Sequence, residues 1–290
     1  MPLLAITGAT GFVGRAIVHQ ARADGYRVRA IVRNPPTTPL DAELFTGNVL
    51  DLKTLTNAFA GADAVIHLVG IIRESGDQTF DRIHRQATGN VIAAAQSAGV
   101  PRLIHMSALG VRPNARSQYH QTKWAAEEAV RQSGLAWTIF RPSLIYGPGN
   151  QSISVLEKIV RLAPVIPVLG DGRSKIQPVS VATVAKCFIA AVNQPSAVEK
   201  TYDLCGPVTF TWNELYDKLL AAQNRRKPKF HIPLSAARIM ATLAEWFLPS
   251  PPFTRDQLLM IQEDNIGDPA PAVLDFNLQL KIFPLGNQST

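Results

Sequence analysis

The stretch LLAITGATGFVGR, residues 3–15, predicts how the fold begins. Its first part, LLAIT, is a mostly apolar run that is typical of a buried strand. Three glycines follow at Gly8, Gly11 and Gly14, and a helical pattern starts near Phe12. Glycine allows the tight turns and close backbone approaches that a side chain prevents. A strand, a glycine-rich turn and a helix in this order predict an anion-binding turn at the N-terminus of the first helix.

Apolar runs and helical patterns continue to alternate along the first half of the chain. Strands are predicted at 27–32, 62–69, 102–108 and 136–142, and helices at 89–99 and about 122–133. Short buried strands that alternate with helices are typical of a parallel sheet covered by helices on both faces. The sequence therefore predicts an α/β fold of the Rossmann type, with a doubly wound parallel sheet.

The pattern changes after Pro142, where the turn-rich segments LIYGPGNQ and PVIPVLGDG occur. Helices are predicted at 152–162, 180–193, 211–223 and 234–247, with a strand at 201–206. We therefore expect a Rossmann domain at 1–150 and a smaller, mostly helical lobe at 151–290, packed together as one structural unit.

The composition is that of a globular protein with a substantial core, since 46% of the 290 residues are apolar and 18% are charged. The formal net charge is +7, and the basic residues are spread along the chain except for the run RRKPK at 225–229. A solvated turn is the favoured interpretation of that run, ahead of a patch for nucleic acid or anionic lipid. We expect no nucleic-acid partner.

Cysteine and histidine usage gives no sign of a disulfide scaffold or a metal site. Cys187 and Cys205 are too few for the first and lack ligand spacing for the second, so we expect buried, inert thiols. His67 and His105 lie in apolar strand segments and are expected to be hydrogen-bonded core residues. The N-terminus lacks a signal-peptide pattern, and no window has about 18 continuous apolar residues. We therefore expect a cytoplasmic protein without a metal.

The segment PLSAARIMATLAEWFLP, residues 233–249, predicts a helix with apolar residues on more than one face. Packing against the main domain is the favoured interpretation, and a lid over the substrate cleft is second. A contact with a partner protein, or with the inner face of a membrane near RRKPK, is a further alternative.

The glycine-rich turn is well situated to hold a dinucleotide. In a parallel sheet, ligands bind beyond the carboxyl ends of the strands, where helix N-termini present free amides. The candidate pyrophosphate-binding residues are Gly8, Thr10, Gly11, Phe12, Val13, Gly14 and Arg15. Glycines that serve only a turn are the alternative.

The end of the second predicted strand indicates which dinucleotide is bound. NAD-binding proteins usually carry an acidic residue about 20 positions after the glycine motif, where it bonds the ribose hydroxyls. Here Arg33 occupies that place, 19 residues after Gly14. A guanidinium suits a phosphate, and Arg15 is available to assist, so NADP(H) is favoured over NAD(H). An exposed arginine at a strand end is the alternative.

Tyr119 and Lys123 are four residues apart, so they face the same side of a helix. The cation is expected to favour the tyrosinate and to lower the tyrosine pKa from its ordinary value of about 10. Tyr119 is then a candidate general acid for reduction of a carbonyl by hydride, with Lys123 also bonding the nicotinamide ribose. Ser107, at the end of the strand LIHMSA, is expected to hold the substrate carbonyl. A surface helix with a chance Tyr–Lys spacing is the alternative.

These residues resemble the motifs of the short-chain dehydrogenase/reductase superfamily, in its extended and atypical branches. The matching segments, in order over the first 150 residues, are TGATGFVGR, HLVG, Ser107, Tyr119 with Lys123, and FRPSLIYGPG. The resemblance implies further cofactor contacts along the cleft. They are Asn48 and Val49 beside the adenine, Leu68, Val69 and Gly70 along the ribose, and Pro142 and Ser143 near the nicotinamide.

A narrower resemblance covers most of the chain. The segments VIHLVGIIRESGDQTFDRIH, MSALGV and PPFTRDQLLMIQEDN resemble the nucleotide-binding accessory subunit of respiratory complex I and its bacterial relatives. This resemblance implies tight NADPH binding and a respiratory-complex partner.

Three positions depart from the pattern of the active extended enzymes. His84 stands where they often carry Asn, VATVA at 181–185 lacks their two acidic residues, and Met106 with Ser107 replaces their serine pair. Three functions therefore stay open. The favoured one is an NADPH-dependent oxidoreductase on an unidentified carbonyl or hydroxyl substrate. The others are a non-catalytic NADPH-binding accessory or assembly protein of respiratory complex I or a quinone-related pathway, and a nucleotide-sugar epimerase or dehydratase.

Overall fold

The first half of the chain alternates strands and helices. The computed structural model describes residues 1–248 and 251–283. The elements of the first half are β1 (Leu3–Thr7), α1 (Phe12–Ala23), β2 (Arg27–Val32), β3 (Glu43–Thr46), α2 (Leu52–Phe59), β4 (Ala64–His67), α3 (Ala87–Ser97), β5 (Arg102–Met106), α4 (Gln118–Arg131) and β6 (Ala136–Pro142). A π-helical turn, Asp81–Gln86, leads directly into α3.

The second half has shorter strands and more helices. Its elements are β7 (Ile145–Tyr146), α5 (Gln151–Leu162), β8 (Ile166–Leu169), β9 (Lys175–Ile176), β10 (Val179–Ser180), α6 (Val181–Ala190), β11 (Lys200–Leu204), β12 (Phe210–Thr211), α7 (Trp212–Ala222), β13 (Lys229–Ile232), α8 (Leu234–Phe247), α9 (Arg255–Ile261) and α10 (Ala270–Phe276). Two short 3-10 turns, Ala191–Asn193 and Pro195–Ala197, join α6 to β11.

The central sheet has seven strands in the order β3-β2-β1-β4-β5-β6-β11, and each neighbouring pair is parallel. The strand order reverses between β1 and β4, which is where ligands bind in doubly wound sheets. Thr7, His67 and His105 lie side by side there, in register across β1, β4 and β5. The predicted Rossmann-type doubly wound sheet is confirmed.

Helices cover both faces of this sheet, because its strands are apolar on both sides. Residues of α1, α6 and α10 pack on one face, and residues of α2, α3 and α4 pack on the other. On the first face Phe140 and Phe188 are fully buried, with ring centroids 4.7 Å apart. Burying a side chain of this size contributes roughly 1.5–3 kcal/mol.

Strand β11 comes from the second half of the chain but belongs to the central sheet. It pairs in parallel with β6, and Tyr202 lies opposite Phe140. The sheet therefore draws on both halves of the chain, and the division into domains at residue 150 stays a prediction.

Several predicted ends of elements are wrong by a few residues. The strand predicted at 62–69 is confined to β4, and the strand predicted at 102–108 is confined to β5. The helix predicted at about 122–133 begins at Gln118, because the Ser117 hydroxyl accepts a hydrogen bond from the His120 amide and caps it. Ser107 and the segment 68–70 consequently lie in loops beyond the carboxyl ends of their strands.

The second half adds a smaller layer around α5, β8 and α7, which share an apolar core. Helix α8 contributes only Ala237 and Ala241 to the buried interior. The favoured expectation is packing against the main domain; α8 packs through these alanines beside Leu258 of α9, and most of its large apolar side chains are exposed. Pro249, at the end of that predicted helical segment, and residues 284–290 of the predicted lobe lie outside the described residues.

Candidate functional site

The turn between β1 and α1 requires glycine at two positions. Gly8 has φ +78°, a left-handed conformation, and a Cβ on it would lie 3.2 Å from the backbone carbon of Leu68. A Cβ on Gly14 would lie 2.2 Å from the Gly8 carbonyl oxygen, which is closer than atoms approach. Both glycines therefore allow α1 to lie directly against the end of β1 and the loop after β4.

No side chain caps the N-terminus of α1 within the described residues. Its cap residue, Gly11, is exposed and offers no side chain, and the first turn carries no acidic residue. The first amides of a helix have no partner within it, so those of Phe12, Val13 and Gly14 are available to a ligand. The neighbouring helices α2 and α4, by contrast, are capped by the side chains of Asp51 and Ser117. This donor set and its positive dipole end fit a pyrophosphate.

The side chains around this turn mostly contact protein. The Arg15 guanidinium donates to the carbonyl oxygens of Thr10, Thr38 and Pro39, each at 3.2 Å. It therefore holds the segment after β2 against the turn. The Phe12 ring lies beside the loop at 147–149, and Val13 packs on the core.

The predicted adenine side is formed by the ends of β2 and β3. The Asn48 side chain accepts a hydrogen bond from the Leu50 amide, and the Asn90 side chain donates to the Val49 carbonyl. Val49 is buried, whereas Arg33 is exposed at the end of β2. Within residues 1–248 and 251–283, no hydrogen bond or ion pair engages the Arg33 guanidinium.

Lys123 reaches from α4 to the ends of β4 and β5. Its Nζ donates to the Met106 carbonyl oxygen at 3.0 Å, and a Cβ on Gly70 would lie 3.0 Å from the same Nζ. Lys123 is buried, and this burial lowers its pKa to about 8, although the nearby Glu127 carboxylate raises it. The ammonium thus lies between the loop after β4 and the residue before Ser107.

Tyr119 lies in the first turn of α4, one turn before Lys123. Its ring packs edge-on against the His84 ring, with centroids 5.3 Å apart. Burial raises the pKa of Tyr119 to about 12. The expectation that Lys123 lowers this pKa is wrong, because burial removes the phenolate from water and thereby raises the pKa. At neutral pH the side chain is a phenol with a proton to donate.

Ser107 follows β5 and is buried, with 3% of its surface exposed. Its amide donates to the Phe140 carbonyl at 2.7 Å, which fixes the backbone. Its hydroxyl has no hydrogen-bond partner within the described residues. A buried hydroxyl without a partner costs free energy, so this oxygen is free to bond a ligand group.

Three buried histidines surround these groups. His84, in the π-helical turn, contacts the Thr122 hydroxyl at 2.9 Å and the Ile71 carbonyl at 3.1 Å, and burial lowers its pKa to about 2. His67 lies between the hydroxyls of Thr7 and Thr88. Burial lowers the pKa of His67 to about 3.

His105 is the exception among them. Its ring centroid is 5.3 Å from that of His67, yet neither of its nitrogens has a hydrogen-bond partner in the described part of the chain. The expectation of a hydrogen-bonded core residue is correct for His67 and wrong for His105.

A segment from the end of the chain reaches the candidate site. The Ser143 hydroxyl, next to Pro142 at the end of β6, donates to Asn265 Oδ1 at 2.5 Å, and Asn265 Nδ2 donates to the Leu109 carbonyl at 3.2 Å. Sequence reasoning missed Asn265, because no local pattern marks a contact across 122 residues.

The same C-terminal segment fixes the loop after β4. Arg73 donates to the Pro251 carbonyl at 2.7 Å, and Gln257 donates to the Ile72 carbonyl at 3.3 Å. The loop at 71–73 is therefore joined to α9 and the residues before it, close to the Ile71–His84 contact.

Other sequence expectations concern thiols, metals and membranes. Cys187 and Cys205 are buried, and burial raises the pKa of each thiol to about 12. In residues 1–248 and 251–283, no group of three His, Cys, Asp or Glu side chains is arranged to hold a metal ion. No helix in that part of the chain is both long and apolar enough to cross a membrane.

Comparison with known proteins extends these observations. A model of a family described as NAD(P)H-binding matches residues 8–195. A ceramide reductase of Caulobacter vibrioides is 34% identical over 197 residues, which are 67% of this chain and 62% of that protein. The mitochondrial NADH dehydrogenase (ubiquinone) 1 alpha subcomplex subunit 9 of Arabidopsis thaliana is 31% identical over 304 residues, covering 97% of this chain and 75% of that protein.

A solved structure has the same fold. The UDP-glucose 4-epimerase of Thermotoga maritima superposes with a TM-score of 0.76 at 17% identity, covering 97% of this chain and 94% of that chain. The predicted resemblance to the complex I accessory subunit is confirmed, and the shared fold agrees with the predicted resemblance to extended short-chain dehydrogenases/reductases. The match at 8–195 includes the glycine turn, Ser107, Tyr119 and Lys123, and the chain belongs to the NAD(P)H-binding family.

Proposed function

We propose that the protein is an NADPH-dependent reductase of a carbonyl compound. The observation that carries this proposal is the buried group of Ser107, Tyr119 and Lys123 at the sheet edge that also presents the open N-terminus of α1. The Ser107 hydroxyl has no hydrogen-bond partner among the described residues, Tyr119 is a phenol, and the Lys123 ammonium donates to the Met106 carbonyl. These are the groups that carbonyl reduction needs beside a nicotinamide.

The chemistry divides between the cofactor and the protein. A bound NADPH supplies the hydride, whose electron pair goes to the carbonyl carbon. The Ser107 hydroxyl donates a hydrogen bond to the carbonyl oxygen and orients it. The Tyr119 phenol gives its proton to that oxygen as the π electrons move onto it, so that the product is the alcohol. Lys123 bonds the ribose hydroxyls and stabilises the tyrosinate that is left.

The high pKa of Tyr119 keeps the side chain in the protonated form that the reduction uses. With a pKa of about 12, the side chain holds its proton throughout the neutral range. An acid is what the reduction requires, whereas oxidation of an alcohol requires the tyrosinate as a base. The desolvation that raises this pKa is therefore compatible with the proposed role of Tyr119 as the acid.

The test is consumption of NADPH with a panel of aldehydes and ketones, followed by its absorbance. Tyr119→Phe is expected to lower turnover at least a hundredfold, since general acid catalysis contributes roughly 10²–10⁴-fold, and to leave the dissociation constant of NADPH unchanged. Tyr216→Phe is the control, because this tyrosine is also buried but lies in the core of α5, β8 and α7. Equal turnover in both variants would remove Tyr119 from the mechanism.

The preference for NADPH over NADH rests on Arg33. Its exposed guanidinium has no partner in the described chain and stands at the end of β2, where a ribose phosphate of NADPH would lie. Arg33→Gln is expected to weaken NADPH binding about 10- to 100-fold and to leave NADH binding unchanged, because a charge-assisted hydrogen bond contributes about 1.5–3 kcal/mol. Arg27→Gln, at the other end of the same strand, is the control. Equal losses for both cofactors would contradict the assignment.

The second candidate is an NAD(P)H-binding accessory subunit of a respiratory complex. It is favoured by the likeness to the Arabidopsis subunit, which extends over 97% of this chain and so includes the C-terminal segment that contacts the candidate site. Affinity purification from native membranes, followed by mass spectrometry, distinguishes the two. Recovery of respiratory-complex subunits, together with no turnover on any carbonyl, would favour the accessory role.

A further inference from the structure

Helix α8 carries its large apolar side chains on the outside. Its two buried residues are Ala237 and Ala241, which pack beside Leu258. Besides Leu234 in the first turn, its exposed large apolar residues are Ile239, Met240, Leu243, Trp246 and Phe247, of which Trp246 and Phe247 are 74% and 76% exposed. At 100° per residue these five side chains occupy roughly one third of the helix circumference, opposite the two alanines. Unlike a helix that packs on a core, α8 therefore buries small side chains and exposes most of its large apolar ones.

Strand β13, which directly precedes α8, carries a further exposed aromatic residue. Ile232 packs with the buried alanines of α8, whereas Lys229 and His231 contact Asn213 of α7. Alternate residues of a strand point to opposite faces, so Phe230 shares the strand face of Ile232. It is 62% exposed. We call Ile239, Met240, Leu243, Trp246 and Phe247 the α8 face.

The chain next to the α8 face is strongly basic. Residues 225–248 hold five Lys or Arg and one acidic residue, so this short stretch carries more than half of the net charge of +7. Arg225 and Arg226 are exposed in the loop before β13. The acidic residue, Glu245, is paired with Arg255 at 2.6 Å, and Lys229 is paired with Asp217 of α7 at 2.6 Å. Within the described residues, Arg225, Arg226 and Arg238 form no ion pair.

We propose that the α8 face docks on a membrane surface that contains anionic lipids. Exposed Trp, Phe and Leu beside arginine is the composition of helices that lie in the interfacial region, where aromatic rings enter the headgroup boundary and cations meet lipid phosphates. A protein partner would also cover apolar residues, but the exposed arginines Arg225 and Arg226, which form no ion pair within the described chain, favour an anionic surface. The inference is independent of the reaction proposed above.

Vesicle binding of the full chain tests the proposal. Vesicles of phosphatidylcholine mixed with phosphatidylglycerol are expected to bind the protein and to shift Trp246 fluorescence to shorter wavelength. Pure phosphatidylcholine vesicles are expected to bind far less. Trp246→Phe is expected to remove the spectral shift and to keep co-sedimentation, because phenylalanine also enters the interface.

Two pairs of variants separate the apolar and the basic contributions. Leu243→Ser is expected to weaken vesicle binding about tenfold, whereas Leu274→Ser, at an exposed leucine on α10, is expected to leave it unchanged. Replacing Arg225 and Arg226 by Gln is expected to weaken vesicle binding about fivefold for each arginine. Added salt is expected to weaken vesicle binding of the parent chain, because it screens the attraction to anionic lipids. The thermal unfolding of each variant checks that the fold is kept.

Three outcomes would overturn the proposal. One is the absence of binding to either vesicle. Another is equal binding to both vesicles, which would leave the basic residues without a role. The third is self-association of the protein at micromolar concentration that Leu243→Ser abolishes, since a second copy of the chain would then be the occupant of the α8 face.

Discussion

The Asp256 carboxylate accepts hydrogen bonds from the backbone amides of Gln118 and Tyr119, at 2.7 and 3.2 Å. These amides belong to the first two residues of α4 and have no acceptor within the helix. Ser117 caps the same helix by accepting from His120, so two side chains together satisfy its first turn. A residue 138 positions away in sequence therefore fixes the turn that carries the candidate acid.

Asp256→Ala is expected to lower turnover about tenfold and to leave the affinity for NADPH unchanged. The loss of two amide acceptors frees the first turn of α4 and displaces the Tyr119 phenol, and the free energy of unfolding is expected to fall by about 1–2 kcal/mol. Kinetics and thermal unfolding measure the two effects.

Thr211→Ala is the matched control for Asp256, because it removes the cap of α7, which is remote from the candidate site. It is expected to lower stability by a similar amount without a change in turnover. If both variants lose turnover equally, Asp256 has only a structural role.

The reduction rate is expected to fall as the pH rises above about 8. Burial lowers the pKa of Lys123 to about 8, so the ammonium that stabilises the tyrosinate is lost above that pH. The measurement is kcat/KM from about pH 6 to about pH 10. Lys123→Arg keeps a cation at high pH and is expected to move the fall upward. A fall at the same pH in Lys123→Arg would assign it to another group.

The sequence predicts those features that depend on local geometry. Gly8 and Gly14 identify the turn, because a side chain at either position would meet backbone atoms. The strands at 27–32 and 136–142 and the helix at 234–247 have the predicted bounds, since their apolar patterns end at turn residues.

Features that depend on tertiary neighbours were not predictable in the same way. Nothing local shows that β11 joins β6, or that Asp256 and Asn265 reach the candidate site. The pKa of Tyr119 depends on its burial, and a sequence gives spacing to a cation but not the surrounding desolvation. The earlier start of α4 did have a local signal, because Ser117 is a favoured cap residue.

Two substitutions in the glycine turn are expected to have opposite consequences for folding. Gly14→Ala puts a Cβ 2.2 Å from the Gly8 carbonyl oxygen, a backbone atom that cannot move without shifting α1, so we expect loss of folded protein. The nearest atom to a Cβ on Gly11 is 3.4 Å away. Gly11→Ala is therefore expected to fold normally and to bind NADPH more weakly, because the methyl group blocks approach of the pyrophosphate.

Circular dichroism and calorimetric titration with NADPH distinguish the two glycine variants. Gly89→Ala is the control, since a Cβ there meets no atom within 4 Å and the residue lies inside a helix. It is expected to raise stability by about 0.5–1 kcal/mol and to bind NADPH normally. A folded Gly14→Ala variant would contradict the close approach of α1 to the Gly8 carbonyl.

The buried histidines are expected to make the fold sensitive to mild acid. Burial lowers the pKa of His67 to about 3 and of His84 to about 2, and lowers that of His105 well below its ordinary value. Below about pH 6.5 the unfolded chain therefore takes up protons that the folded chain does not. The free energy of unfolding consequently falls as the pH is lowered, by up to about 1.4 kcal/mol per pH unit for each histidine.

His105→Leu removes one imidazole that has no hydrogen-bond partner in the described chain. We expect this variant to be at least as stable as the parent at neutral pH and less sensitive to acid, measured by urea unfolding between about pH 4 and pH 8. His19→Leu, at an exposed histidine of α1, is the control and is expected to keep the acid sensitivity of the parent. An unchanged slope in His105→Leu would mean that the His105 imidazole is protonated to the same extent in the folded and unfolded chains.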